Sequence, residues 1–301
     1  TGSSSATIGQ SAFEGCRNLK GPLNINSFTS IGKRAFRGCY SLTGELNFNP
    51  SLWQINDYIF DGCRSLTGSI TWPTTTTLTE IGEYAFSGCS GLSGDLNLPS
   101  RVSEVKQHAF HGCSGLTGPI VMTTLNKVRR FAFAGCTGLS DSITVTVAGT
   151  SIIERSAFSG CKGFKNGKLT FFISNEENGI IDDQKISTYY RYGYFLRIEN
   201  EAFEDCKFKN IYYNGRFEPD CDYDIGISKT KGIKTSTHYA NKTFCSYPIH
   251  KDKLSGGAIA GIVIACIVVV AAIAVLVVFL ILRKKKSNNN SESEVEMNNE
   301  P

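Results

Sequence analysis

Catalytic equipment is scarce in this sequence. It has 4 histidines in 301 residues, two of them (His238 and His250) close to its most apolar stretch, and it contains no His-Glu-x-x-His, no Gly-x-Ser-x-Gly and no phosphate-binding loop. Those motifs supply a zinc pair with a general base, an elbow-mounted nucleophile and a backbone cradle for phosphates. Without them no enzyme is expected, and neither a metal centre nor a cofactor. Charge is thin as well, at 19% of residues with a net +4. That excludes a disordered polyelectrolyte and a strongly basic nucleic-acid binder. Proline is limited to 8 residues beside 30 glycines and 11 cysteines, which is neither a collagen nor an average cytosolic composition. The chain opens Thr1-Gly2-Ser3-Ser4-Ser5 with no methionine and no apolar signal core, so the sequence is expected to be a fragment that starts inside a repeat.

What is present is a repeat. Cysteines stand at Cys16, Cys39, Cys63, Cys89, Cys113, Cys136 and Cys161, 23 to 26 residues apart. Phe precedes each by three positions (Phe13, Phe36, Phe60, Phe86, Phe110, Phe133, Phe158) and Gly precedes each directly. Ala stands before the Phe in every copy but one, where Ile59 replaces it. Ile or Val lies eight residues upstream (Ile8, Ile31, Ile55, Ile81, Val105, Val128, Ile153). Leu lies three downstream in six copies, with Phe164 in the seventh. An eighth copy, Ile198 to Cys206, follows a long insertion at 165–197. Each Thr/Ser-Gly turn leads into an alternating apolar pair such as Leu46/Phe48, Leu96/Leu98 or Ile120/Met122. Period-two spacing marks a strand with one buried face. Copies stacked about 4.8 Å apart would form a long parallel sheet, and the Ala-Phe-x-Gly-Cys half reads as a short strand followed by a tight helical turn. Periods of this length are those of leucine-rich-repeat solenoids. The expected fold class is therefore α/β, a β-rich solenoid of parallel strands and short helical turns, plus one transmembrane helix.

That helix is Ala258 to Leu282, 25 residues without a charged side chain, and the spanning domain is drawn at 256–282. About 20 apolar residues suffice to cross a bilayer. Arg283-Lys284-Lys285-Lys286 follows at once, whereas the preceding flank has only Lys251 and Lys253 offset by Asp252. Positive charge stays cytoplasmic, so the expectation is a single-pass type I plasma-membrane protein with residues 1–255 outside and a 283–301 tail inside. The tail balances four basic against four acidic residues and holds no folded domain. Gly257-x-x-x-Gly261-x-x-x-Ala265 puts small residues on one face of the span, a weak homodimer contact.

The frame Ile81-Gly82-Glu83-Tyr84-Ala85-Phe86-Ser87-Gly88-Cys89-Ser90-Gly91-Leu92-Ser93-Gly94-Asp95-Leu96-Asn97-Leu98-Pro99 resembles the BspA-type leucine-rich repeat over residues 1–206. With the terminal span and its basic run, the chain resembles the membrane-anchored BspA-like surface antigens of parasitic protists. The resemblance implies a cell-surface binding protein, an adhesin contacting host-cell or matrix proteins or glycans. A receptor signalling through partner proteins is the alternative. It implies no catalytic residues.

Residues 207–255 read as a cap and membrane-proximal stalk, since the last coil of a solenoid must be covered. The repeat cysteines form a buried thiol column on one reading and scattered disulfides on the other. Cys221 and Cys245 fall off the period and are expected to bridge. Asn241-Lys242-Thr243 is the outward-facing glycosylation sequon. His108-x-x-His111-x-Cys113 spaces three metal-capable groups, but the repeat alignment puts both histidines at variable positions on the convex side, and no metal is expected. The candidate ligand-binding residues are the outward strand positions Asn24, Asn47, Thr71 and Asn97, continued by Val121 and Thr144, with Asn26, Asn49, Pro73 and Pro99 next along. The Tyr189, Tyr190, Arg191, Tyr192 and Tyr194 cluster of the insertion adds the residue types that dominate binding energy.

Overall fold

The structure, a computed structural model, describes residues 6–74, 78–122, 126–147, 150–164, 167–173, 196–213, 219–227, 230, 232–235 and 243–249. They form a parallel β-solenoid. One ribbon is laid down at the upstream Ile/Val of each repeat. Its longest continuous part runs Glu80–Ile81, Glu104–Val105, Lys127–Val128, Ser151–Ile153, Leu196–Ile198, Asp220–Cys221, every neighbour parallel. The second ribbon is laid down at the alternating pairs and runs Ile120–Met122, Ser142–Val147, Lys168–Ile173, Asn210–Tyr213, Gly232–Thr235, again all parallel. Earlier coils contribute shorter pairs to the same ribbons, such as Leu46–Asn47 with Ile70–Thr71.

The Ala-Phe-x-Gly-Cys segments stack as a third side, and they are turns, which corrects the expected short helices. Two left-handed residues in each turn break a helix. The residue five before each cysteine has φ between 53° and 58° in all eight copies, from Ser11 to Glu201, and the glycine before the cysteine has φ of 70° to 80° in seven. Backbone donors then alternate in direction. In the second coil Ala35, Arg37 and Cys39 donate to carbonyls three residues back, while Arg34, Phe36 and Gly38 donate to Asp57, Ile59 and Asp61 of the next coil. A helix would spend every donor on itself; here half of them join coils. That φ favours glycine before the cysteine, and in the eighth copy Asp205 takes the same conformation at φ 60°.

Side chains pack in columns. The repeat phenylalanines from Phe13 to Phe203 stack ring on ring at 5.0 to 5.8 Å, nearly parallel throughout. Beside them run the Ile/Val column and the Leu column, buried from the second coil on. The cysteines form a fourth column: Cys39, Cys63, Cys89, Cys113, Cys136, Cys161 and Cys206 are free, buried thiols. Each donates to the carbonyl of the previous coil's Phe at 3.0 to 3.1 Å. That carbonyl also accepts its own turn's Cys N–H, as Phe36 does from Cys39 and Cys63.

Two boundaries differ from the sequence reading. Lys168–Ile173 inside the expected insertion 165–197, and Leu196–Ile198 across its end, are regular ribbon strands. The solenoid also continues past Cys206. Asn210–Tyr213, Asp220–Cys221 and Gly232–Thr235 extend both ribbons, and Glu201 and Phe203 donate to Asp224 and Ile225 as every earlier turn does to its successor. These residues lack the Phe-x-Gly-Cys marker, which is why the repeat count missed them. Among the described residues no helix is long and apolar enough to cross a membrane; the expected span and the tail lie outside them.

Candidate ligand-binding ribbon

Alternation along a strand sends every second side chain to solvent, and stacking puts equivalent positions of successive coils in register. On the second ribbon Asn47 is partnered with Thr71, and further along Val121, Thr144, Thr170, Tyr212 and Lys234 follow one another in register. Asn24, Asn47, Thr71, Asn97 and Val121 are exposed. Among the described residues, the side chains of Asn47, Thr71 and Asn97 have no hydrogen-bond partner, so their donors and acceptors are left to solvent. The outward face is thus a row of uncharged groups from Asn47 to Tyr212 that closes on Lys234, with the Lys168 ammonium 5.8 Å from the Tyr212 ring centre.

The next outward row is used by the fold. The Asn49 amide donates to the Asn26 carbonyl at 2.6 Å while its oxygen accepts from the Ser51 N–H at 2.8 Å, a side-chain turn that also ties two coils. Pro73 is buried and Pro99 half-buried. Thr170, Tyr212 and Lys234 belong to the same outward row but carry no repeat marker, so only strand register reveals them. Tyr189, Tyr190, Arg191, Tyr192 and Tyr194, together with Asn241, lie outside the described residues.

The first ribbon presents a different surface. A groove of about 410 Å³ is lined by Glu83, Glu104, Lys106, Gln107, Arg129, Arg130 and Glu154. Most of its charges are committed to one another across coils: Lys106 to Glu80 at 2.7 Å, and Arg129 to Glu104 and Glu154 at 2.6 and 2.7 Å. The bonds it donates to Glu154 and Glu104 hold the Arg129 guanidinium above its ordinary pKa. These pairs brace the stacking of coils and leave little for a ligand.

His108 is held by rings. It sits between Tyr84 at 4.5 Å and Phe131 at 4.9 Å, continuing a stack that begins with Tyr58. Burial, and then the neighbouring His111, push its pKa down. Its ring meets His111 edge-on at 5.2 Å, and among the described residues no three metal-capable side chains converge.

At the far end Cys221 and Cys245 are joined, with Cα atoms 5.4 Å apart. Cys245 follows a short antiparallel hairpin strand, Thr243–Phe244, paired with Tyr247–Pro248. Phe244 is fully buried, 5.2 Å from the Tyr213 ring and 6.0 Å from that of Phe171, and the Tyr247 hydroxyl donates to Asp224 at 2.6 Å. The hairpin therefore covers core that the last coil would otherwise expose.

A family model described as the BspA type leucine rich repeat region, in six copies, matches residues 6–140 and 127–218. No curated protein matches. Among solved structures, a leucine-rich repeat protein from Bacteroides ovatus is similar at 23% identity and a TM-score of 0.43, over 76% of this chain and 64% of that one. The chain thus spans less than two thirds of that relative's length. A leucine rich cell surface protein from Faecalibacterium prausnitzii is similar at 18% identity and a TM-score of 0.36, over 76% of this chain and 69% of that one. With the repeat model covering most of the sequence and the coils it describes laid out strand by strand, the chain belongs to the BspA-type leucine-rich-repeat family.

Proposed function

We propose that this protein works by binding at a cell surface, as an adhesin or surface antigen contacting host-cell or extracellular-matrix proteins or glycans. The observation that carries the reading is the set of exposed outward side chains Asn24, Asn47, Thr71 and Asn97, in which Asn47 and Thr71 pair in register and Asn24 alone accepts a local bond, from the Asn26 N–H. Side chains without an internal partner keep their full hydrogen-bonding capacity for a ligand. A solenoid offers such a line on a rigid frame, which lowers the entropic cost of association. Family membership supports a binding scaffold and brings no catalytic group with it.

In this reading the span 256–282 anchors the chain as a type I protein, the tail 283–301 lies in the cytoplasm, and Asn241 carries a glycan on the outer side. The Tyr189–Tyr194 cluster of the insertion supplies further anchors. The test is to screen the full chain, held in detergent micelles, against arrays of matrix proteins, cell-surface proteins and glycans. Saturable binding is expected, weakened when Tyr189, Tyr190, Arg191, Tyr192 and Tyr194 are all replaced by Ala. Absence of saturable binding by the folded chain to every such surface would sink the proposal.

A further inference from the structure

The stacked turns of the first three coils carry a basic surface that the binding column does not use. Tyr40 lies between two guanidiniums, that of Arg17 from the coil before at 5.6 Å from its ring centre and that of Arg64 from the coil after at 4.5 Å. All three occupy the position directly after the repeat cysteine. The ring is seated over glycine: a Cβ added to Gly62 would meet the Tyr40 ring at 3.0 Å. Arg17 and Arg64 are exposed. On the same turns Arg34 and Arg37 lie over the Tyr58 ring at 5.5 and 5.3 Å.

The nearby carboxylates are already engaged. Glu14 and Asp61 pair with Arg37 at 3.2 and 3.1 Å, and Asp57 pairs with Lys33 at 2.8 Å. Arg34 shares the field of Glu14 with Arg37, but among the described residues Arg17 and Arg64 have no carboxylate partner, so the first three turns hold two unneutralised guanidiniums fixed by stacking. Later coils have no arginine at the position after the cysteine, which is Ser90, Ser114 and Thr137, with lysines at Lys162 and Lys207. The patch therefore has an edge.

The geometry points to a binding site for a sulfated polysaccharide along the Arg17–Tyr40–Arg64 turns. A guanidinium fork matches the oxygens of a sulfate. Two coil rises separate Arg17 from Arg64, about 10 Å, a span that one small anion does not bridge and a linear polyanion does. Both faces of Tyr40 are taken by guanidiniums, so recognition runs through charge and hydrogen bonds and not through ring stacking on a sugar. This site is independent of the strand column, and its failure leaves the adhesin reading standing.

The test is equilibrium binding of the full chain in detergent micelles to heparin, with polyglutamate and inorganic sulfate as competitors. Arg17→Gln with Arg64→Gln is expected to weaken heparin binding about tenfold or more and to flatten its salt dependence. Lys162→Gln with Lys207→Gln, which removes the same charge at the same repeat position, is expected to leave affinity within about twofold. No heparin binding, or equal losses in the two double variants, would overturn the proposal. So would polyglutamate or inorganic sulfate competing as well as heparin at equal charge concentration.

Discussion

The cysteine that marks each repeat is a hydrogen-bond donor in a place too tight for a larger one. Its thiol reaches the previous coil's Phe carbonyl, and burial lifts the Cys39 pKa from 9.0 to about 11 and raises those of Cys63, Cys89, Cys113, Cys136 and Cys206 too. A raised thiol pKa means that the protonated form belongs to the folded state. The unfolded chain then loses protons first as pH rises, so this stabilisation is complete below about pH 9 and declines above it. Melting temperature should therefore drop between about pH 9 and 10.5, and by less in a Cys89→Val, Cys113→Val variant, as circular dichroism melts would show; equal drops would contradict the column's role. The sequence already displayed the cysteine register. It did not display the left-handed residue five positions earlier, because Arg34, Tyr58, His108 and Phe131 share no chemistry there. Their conformation is imposed by hydrogen bonds from neighbouring coils, at a cost of about 1–2 kcal/mol each that the ladder must offset.

Among the elements, the ribbons were legible and their ends were not. Alternating pairs predict strands wherever a Thr/Ser-Gly turn precedes them, but Lys168–Ile173 and Asn210–Tyr213 follow no such turn and join the ribbon through register alone. Non-local pairing decides these strands, and a repeat marker cannot reveal it. The Arg17–Tyr40–Arg64 sandwich was missed for a related reason, since its members are 23 and 24 residues apart and meet only after stacking. The terminal hairpin is held by Phe244, by Tyr247 on Asp224 and by the Cys221–Cys245 bridge, which closes a loop with a sequence separation of 24. Loop-closure entropy puts that bridge at roughly 3 kcal/mol. Cys221→Ser with Cys245→Ser should lower stability by about that amount, and limited proteolysis should then cut first around residues 243–249. A variant as stable and as resistant as the parent would show that the hairpin holds without its bridge.

At the scale of the molecule, each coil buries its hydrophobic face only against its neighbours, so order accumulates along the stack. What the fold leaves over is two surfaces of different character on one frame, an uncharged polar strand column and a basic turn patch. The proposed arrangement, with a surface solenoid outside and an anchor at 256–282, is read from the hydropathy and charge of the sequence alone. The proposed function rests on the column. Its most direct measurement is the affinity of the full chain for its array-identified ligand after Asn47→Glu with Asn97→Glu, two exposed changes two coils apart. The account predicts binding weakened about tenfold or more with an unchanged melting temperature; undiminished affinity in an intact fold would contradict it.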